Sequence, residues 1–300
     1  MRTFVLCLLL ASGLSAGEPP LVTGDRVVFL GSTMVEREQR YGWWETALTA
    51  RFASATVVFR NLGWSGDTVF GEARAGFGSP ADGFKQLRDL TLELKPTRIV
   101  ICYGLNESFA GKNGLERFRK QYEVLLDALA PAKARIALMT PTGFEVHPQR
   151  LPDPTANNAN LALYVEVVRE IAKKRDLGLI DLWSVWKAEK PANASWTDNG
   201  MHMVSEGYLA TAPMLLKAAG WDVPAAISLT AIPMQTLRET IRDKNELYFH
   251  RWRPQNQTYL FGFRKHEQGR NAKEIVEFDP LVAKKEAVIR EMVEGIGEKK

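Results

Sequence analysis

The stretch RVVFLGST, residues 26–33, decides the fold of this 300-residue chain. Its four apolar residues, 27–30, run without a break into a glycine and two hydroxyl residues. Short apolar runs of this kind are typical of strands that are buried on both faces of a parallel sheet. Gly31 can end such a strand with a backbone geometry that other residues resist. Ser32 and Thr33 are therefore expected at the carboxyl end of the strand, where open α/β sheets bind their ligands.

Short apolar runs alternate with segments of helical periodicity as far as residue 219. The spacing predicts strands at 27–30, 56–59, 98–102, 135–139 and 177–182 and helices at 46–52, 84–94, 115–129, 156–174 and 205–219. This alternation is typical of a parallel sheet with helices on both faces. We therefore predict a three-layer α/β/α sandwich around a five-stranded parallel sheet, with the strand ends brought to one edge by right-handed crossovers.

The first 16 residues have the composition of a secretory signal peptide. Arg2 precedes an apolar run at 4–14, and the small residues 15–17 follow it, which predicts cleavage after Ala16. This run is too short to span a bilayer, and no later run approaches about 18 uninterrupted apolar residues. The sequence therefore predicts a secreted or periplasmic protein with no membrane span after signal removal.

Charge and cysteine content narrow the class of protein. The formal charge of +4 includes Arg2, and there is no long basic block, which argues against nucleic acid as a partner. Removal of the signal leaves one cysteine, Cys102, so no intramolecular disulfide can form. The core must carry the stability, and a mature chain of about 280 residues can bury one that is large enough.

The chain divides into a signal peptide at 1–16, an α/β domain at 17–222 and a C-terminal extension at 223–300. Between residues 251 and 261 the extension mixes aromatic side chains with Arg, Asn and Gln, unlike a plain linker. We expect its helices to pack on the first domain. A module that docks a partner or forms a dimer is the alternative interpretation, and the sequence predicts no oligomeric state.

Acyl transfer requires a nucleophile, a base, a group that orients the base and hydrogen-bond donors for the oxyanion. The chain has four histidines, at positions 147, 202, 250 and 266. Only His202 follows a strand of the predicted sheet in a loop that also holds acidic and amide residues. It is therefore the best candidate for the base.

Four short blocks follow successive predicted strands: GST at 31–33, NLGWSGDT at 61–68, GLN at 104–106 and DNGMH at 198–202. In this order they resemble the blocks of the SGNH or GDSL-type hydrolases, and the resemblance covers about residues 25–220. It implies a flavodoxin-like α/β/α hydrolase fold. It also implies ester hydrolysis without a metal or another cofactor.

The resemblance also implies roles for individual residues. His202 matches the base of the family. The backbone N–H of Gly66 and the side-chain amide of Asn106 match the donors of the oxyanion hole, with Gly63 a less suitable candidate than Gly66. The backbone N–H of Thr33 is expected to complete this hole.

The nucleophile block departs from the family pattern. The nucleophilic serine of the family falls on Thr33, and the aspartate before it falls on Ser32. Threonine can act as a nucleophile, although its methyl group stiffens the side chain and crowds the path of attack. A shift of one residue would make Ser32 the nucleophile instead. The block order favours Thr33.

The histidine block departs as well. The family has an acid three residues before the histidine, where this chain has Asn199. Asp198 stands four residues before His202, and a bulge at Asn199 would bring its carboxylate to the ring. Otherwise Asn199 would orient the ring without stabilising the imidazolium. We favour Asp198 as the orienting residue.

Tryptophans near the predicted site suggest a class of substrate. Trp64 and Trp196 lie in the loops of the second and fourth blocks, and tryptophan faces suit sugar rings. The family as a whole splits esters, including acetyl groups on polysaccharides. We therefore predict a small-molecule or carbohydrate ester as the substrate. The alternative is a catalytically weak or inactive SGNH-fold protein that binds a glycan or another ligand.

Overall fold

Five parallel strands form one sheet in the computed structural model, which describes residues 17–147, 152–223 and 228–297. The predicted signal peptide lies outside the described residues. The strands are β1 (Arg26–Gly31), β2 (Val58–Asn61), β3 (Arg98–Cys102), β4 (Arg135–Met139) and β5 (Gly178–Ile180). Their order is β2-β1-β3-β4-β5, and each neighbouring pair is parallel. The predicted five-stranded parallel sheet is therefore confirmed.

Helices cover both faces of the sheet and continue into the extension. They are α1 (Thr33–Tyr41), α2 (Trp43–Arg51), α3 (Pro80–Glu93), α4 (Leu115–Leu129), α5 (Thr155–Lys174), α6 (Leu182–Glu189), α7 (Ser205–Ala218), α8 (Ile232–Trp252), α9 (Gln257–Leu260), α10 (Lys265–Gln268) and α11 (Phe278–Gly297). Short 3₁₀ segments lie at Glu72–Arg74, Glu107–Gly114, Ala130–Ala132 and Gly269–Glu277. None of the described helices is long and apolar enough to span a membrane.

The central strand β1 is buried on both faces, as its unbroken apolar run predicts. Val27 and Phe29 pack into one apolar cluster with α2 and α7, while Val28 and Leu30 pack into a second cluster with α3, α4 and α5. Successive side chains of a strand point to opposite faces, so a strand covered on both sides needs apolar residues at every position. This burial fixes the register of the sheet and the place where β1 ends.

Gly31 joins β1 directly to α1. A glycine is needed at this position, but for a reason other than the one we expected. Its φ is not in the left-handed region; a Cβ atom there would instead lie 2.6 Å from the carbonyl oxygen of Cys102 and 2.6 Å from the Val35 side chain. The close approach of β3 and α1 therefore requires glycine. Helix α1 then begins at Thr33, so the candidate nucleophile is the first residue of a helix.

The extension packs against α1, α2 and the β2 edge of the sheet through α8, and α11 packs on α8. Lys244 of α8 is 1% exposed and its Nζ lies 2.6 Å from Glu45 Oε1 of α2. Arg60 at the edge strand pairs with Glu286 of α11. Ion pairs as well as apolar contacts therefore join the extension to the sheet domain.

Candidate active site

All four sequence blocks meet in one open cleft at the carboxyl edge of the sheet. The residues that carry chemistry in its lining are Thr33, Gly66, Asn106, Asp198, Asn199 and His202. They come from the start of α1, the loop after β2, the loop after β3 and the loop before α7. The parallel topology thus brings these residues to one edge, as the sequence predicts.

Thr33, rather than Ser32, faces this cleft. The backbone N–H of Gly66 donates a hydrogen bond of 3.0 Å to Thr33 Oγ1. Gly66 has a φ of +77°, in the left-handed region that favours glycine. Ser32 is buried one residue before the helix, and its carbonyl accepts the N–H groups of Val35 and Glu36. Both residues are buried, at 7% and 4% exposed, but only Thr33 is part of the lining of the cleft.

Asn106 lies beside this pair. Its Nδ2 donates a hydrogen bond of 2.8 Å to the carbonyl oxygen of Asp67. A primary amide has two N–H groups, so the second is available for an oxyanion in the cleft. Gly63, by contrast, packs against α1: a Cβ atom there would lie 2.2 Å from the backbone nitrogen of Glu36. Gly66 and Asn106 thus lie where they can share an oxyanion, and the contribution of the Thr33 backbone N–H at the start of α1 stays a prediction.

The ring of His202 contacts Asn199. The Asn199 Nδ2 atom lies 3.0 Å from His202 Nδ1, while Asn199 Oδ1 accepts the backbone N–H of Met201 at 3.1 Å and that of His202 at 2.8 Å. Burial lowers the pKa of His202, and the charge of Arg37 lowers it further against an opposing effect of Asp198. The ring is therefore held neutral near pH 7.

Asp198 does not contact the ring, and our interpretation of it as the orienting residue was wrong. Its carboxylate accepts a hydrogen bond of 2.7 Å from Arg37 Nη2 of α1. Partial burial alone would raise the pKa of Asp198, but the hydrogen bond and charge of Arg37, with the smaller effect of His202, together lower it. The arginine that captures this carboxylate stands 161 positions away in the sequence, so the spacing of the block could not reveal it.

Comparison with known proteins identifies the family of the chain. Residues 23–210, more than half of the chain, match the model of the GDSL-like lipase/acylhydrolase family. The chain belongs to this family. It is therefore an esterase or acyl hydrolase of the SGNH type. A comparison with curated proteins found no match.

Solved structures share the fold of this hydrolase at low identity. The acetylxylan esterase Axe2 from Geobacillus stearothermophilus is 18% identical with a TM-score of 0.53, over 70% of this chain and 100% of that chain. LAE5, an α/β hydrolase enzyme from the metagenome of Lake Arreo, is 19% identical with a TM-score of 0.52, over 67% and 97%. BT4096, a gut microbial diltiazem-metabolizing enzyme, is 18% identical with a TM-score of 0.54, over 69% and 49%. These likenesses establish the three-layer fold.

Neither Trp64 nor Trp196 lines the cleft of the hydrolase, so the structure does not bring them together with the other candidate site residues, and their role in substrate binding stays a prediction. Trp64 packs between the extension and the sheet domain, with the Arg253 guanidinium 3.5 Å from its ring centroid. The Lys190 ammonium lies 5.3 Å from the Trp196 ring centroid. The exposed aromatic ring in the cleft is Phe109, which follows the third block.

Buried acidic residues hold the loops that carry the oxyanion donors, and no pattern in the sequence identified them. Asp67 Oδ2 accepts hydrogen bonds from Arg74 Nε at 2.6 Å and from Tyr103 Oη at 2.9 Å. Glu107 accepts the N–H of Val69 at 2.7 Å and that of Gly104 at 2.8 Å. Charged residues are mostly exposed, so only their partners in the fold identify these as interior.

Among the described residues, no group of three or more His, Cys, Asp or Glu side chains is placed to hold a metal ion. Cys102 is buried in the core at the end of β3, and burial raises the pKa of its thiol. A neutral thiol in this position is a packing residue.

Proposed function

We propose that the hydrolase cleaves short acyl esters of carbohydrates, acetyl esters in particular, after export from the cytoplasm. The observation that carries the proposal is the hydrogen bond from the Gly66 N–H to Thr33 Oγ1, with Asn106 and His202 in the same cleft. A hydroxyl, two oxyanion donors and an imidazole are the groups that acyl transfer requires.

The reaction proceeds in two acyl transfers. Thr33 Oγ1 forms a bond to the acyl carbon and gives its proton to His202 Nε2, while the carbonyl electron pair moves onto the oxygen held by Gly66 and Asn106. The oxyanion then collapses, and the alcohol leaves with the proton from Nε2. Water repeats the sequence on the acyl-threonine, which releases the acid and restores the Thr33 hydroxyl.

The cleft favours a short acyl group on a polar alcohol. Eight of its eleven lining residues have polar or charged side chains, and Phe109 and Met201 are its larger apolar members. A long acyl chain needs an extended apolar surface, which this lining does not supply. The exposed ring of Phe109 offers a face for a sugar, and an acetylxylan esterase is among the proteins with the same fold. These features support an acetylated carbohydrate.

Hydrolysis of an aryl acetate and of acetylated xylooligosaccharides by the purified protein tests this proposal. Thr33→Ala and His202→Ala should each lower kcat at least about 100-fold, because each removes a group that acts in the transition state. Ser32→Ala is the matched control and should retain the activity. Equal rates in wild type, Thr33→Ala and His202→Ala would contradict the proposal, and binding of the oligosaccharide without release of acetate would indicate a binding protein.

Export is tested separately. The apolar segment at 4–14 and the small residues at 15–17 support removal of a signal peptide. Protein recovered from outside the cytoplasm should begin at Gly17. Recovery of the full chain from the cytoplasm alone would contradict this part of the proposal.

A further inference from the structure

The orientation of the Asn199 side chain is fixed by its own loop. Its Oδ1 accepts two backbone N–H groups, from Met201 at 3.1 Å and from His202 at 2.8 Å. If the amide turned over, its NH2 group would face these two donors and both hydrogen bonds would be lost. Asn199 Nδ2 therefore points at the His202 ring.

This orientation decides which ring nitrogen carries the proton. Neutral imidazole has one N–H donor and one acceptor nitrogen. His202 Nδ1 faces an N–H donor at 3.0 Å, so Nδ1 is the acceptor and the proton resides on Nε2. A protonated ring would instead bring an Nδ1–H against the Asn199 amide and a positive charge toward Arg37, which burial also opposes.

We propose that Asn199 holds neutral His202 in the Nε2–H tautomer and thereby keeps the turnover of the hydrolase low. This inference rests on the proposed function, because it concerns the same reaction. Nε2 then has no lone pair free to receive the proton of Thr33 Oγ1. His202 presents a hydrogen-bond donor to the cleft where the reaction needs a base, and Asn199 is the positioning residue that sets this state.

The reactive tautomer has its proton on Nδ1, which requires an acceptor beside that nitrogen. Asn199 offers one only after it gives up both backbone hydrogen bonds. Asp198 does not take its place in this structure, because its carboxylate pairs with Arg37 at 2.7 Å and forms no hydrogen bond to the ring. The productive form is thus a minor state of the site, and turnover is limited by its population.

Asn199→Asp is the change that should release this restraint. One carboxylate oxygen can accept the same two backbone N–H groups, while the other accepts an Nδ1–H from the ring. The proton then moves from Nε2 to Nδ1, and Nε2 gains the lone pair that receives the Thr33 proton. An amide in place of the acid of a Ser-His-Asp triad lowers kcat by about 10⁴-fold, so an increase of at least about tenfold is expected here.

The test joins an NMR measurement to kinetics on the full-length mature protein. Long-range ¹H–¹⁵N spectra distinguish the two neutral tautomers, and a His202→Gln variant identifies the His202 signals among those of the four histidines. Wild type should show the proton on Nε2 and Asn199→Asp should show it on Nδ1, with kcat on an aryl acetate raised at least about tenfold. Asp198→Asn is the matched control and should leave the tautomer unchanged.

The outcomes separate the two proposals. A proton on Nδ1 in wild type would overturn the inference at any level of activity. A proton that moves to Nδ1 in Asn199→Asp without a gain in kcat, in a protein that Thr33→Ala inactivates, would also overturn it. Esterase activity that is absent from wild type and Asn199→Asp alike, with the expected tautomers, would overturn the proposed function instead.

Discussion

Arg253, which follows α8 in the extension, donates a hydrogen bond of 2.7 Å to the Glu36 carboxylate of α1. The same carboxylate accepts the backbone N–H of Ser65 at 2.5 Å and its hydroxyl at 2.9 Å. Ser65 immediately precedes Gly66, and the Arg253 guanidinium also stacks on Trp64. Trp252 of α8 also packs edge-on against Trp64, with ring centroids 5.9 Å apart, so the extension reaches the loop that carries an oxyanion donor through two adjacent residues.

Arg253→Ala should lower kcat about tenfold with little change in KM, because the Gly66 N–H loses the support that positions it for the transition state. Arg253→Lys should recover part of this loss, since lysine can keep the ion pair but not the stacked planar contact. Steady-state kinetics on an aryl acetate measures both. Arg251→Ala removes a more exposed ion pair within the extension, to Asp279, and should leave kcat unchanged. Equal kcat values for wild type and Arg253→Ala would contradict this prediction.

The sheet could be predicted from the sequence because burial on both faces leaves continuous apolar runs. Helix α4 was predicted at its observed bounds, 115–129, from apolar residues at helical spacing. Helix α1 was missed because its residues 36–40 are all polar or charged, although Glu36 and Glu38 are buried in the fold. Local periodicity cannot identify a buried carboxylate whose partners come from elsewhere in the chain.

Partners from distant parts of the chain also decide which features of the site could be predicted from the sequence and which could not. The place of Thr33, Gly66 and Asn106 could be predicted because each follows a strand, and parallel strands end at one edge. His202 lies between α6 and α7, so its place could be predicted from its sequence block and not from a strand directly before it. The role of Asp198 was mistaken because Arg37 binds its carboxylate from a distant part of the sequence. The contact between Trp64 and Arg253 could not be predicted for the same reason.

Arg37→Gln should raise the pKa of His202. The charge of Arg37 lowers this pKa, and its loss also frees the Asp198 carboxylate, whose charge raises it. An NMR titration of the His202 ring measures the change. Arg40→Gln, which removes a positive charge from the same helix and the same cleft, is the matched control and should shift the pKa less. A His202 pKa that is equal in wild type and Arg37→Gln would show that the Arg37 charge is screened.

Lys244→Met should lower the free energy of unfolding by about 3–5 kcal/mol, because it leaves the Glu45 carboxylate in the interior without its cationic partner. Glu45 also accepts a hydrogen bond of 3.0 Å from Asn245, which does not neutralise its charge. Urea denaturation gives the free energy. The double variant Lys244→Met/Glu45→Gln should recover much of the loss, since the isolated charge is removed as well.

The exposed pair between Lys285 of α11 and Asp243 of α8 provides the comparison for this prediction. Lys285→Met should cost less than about 1 kcal/mol, because solvent screens such a pair. A similar loss in Lys244→Met and Lys285→Met would mean that the buried pair is as well solvated as the surface pair.

Glu107 links the stability of the protein to pH. Burial raises the pKa of this carboxyl to about 7, although the N–H groups of Val69 and Gly104 lower it in part. Unfolded protein releases the same proton near the ordinary pKa of 4.5. Between these values the native state binds more protons than the unfolded state, so the free energy of unfolding falls as the pH rises.

Glu107→Gln should remove this contribution. The variant should be less stable than wild type at pH 5, because its amide NH2 group faces one of the two backbone N–H donors that Glu107 accepts. As the pH rises from 5 to 8, the stability of wild type falls and the difference between the two proteins should narrow by on the order of 2 kcal/mol. Urea denaturation of both proteins across this range measures the difference. A gap that stays constant or widens would show that Glu107 is already ionised in the native protein at pH 5.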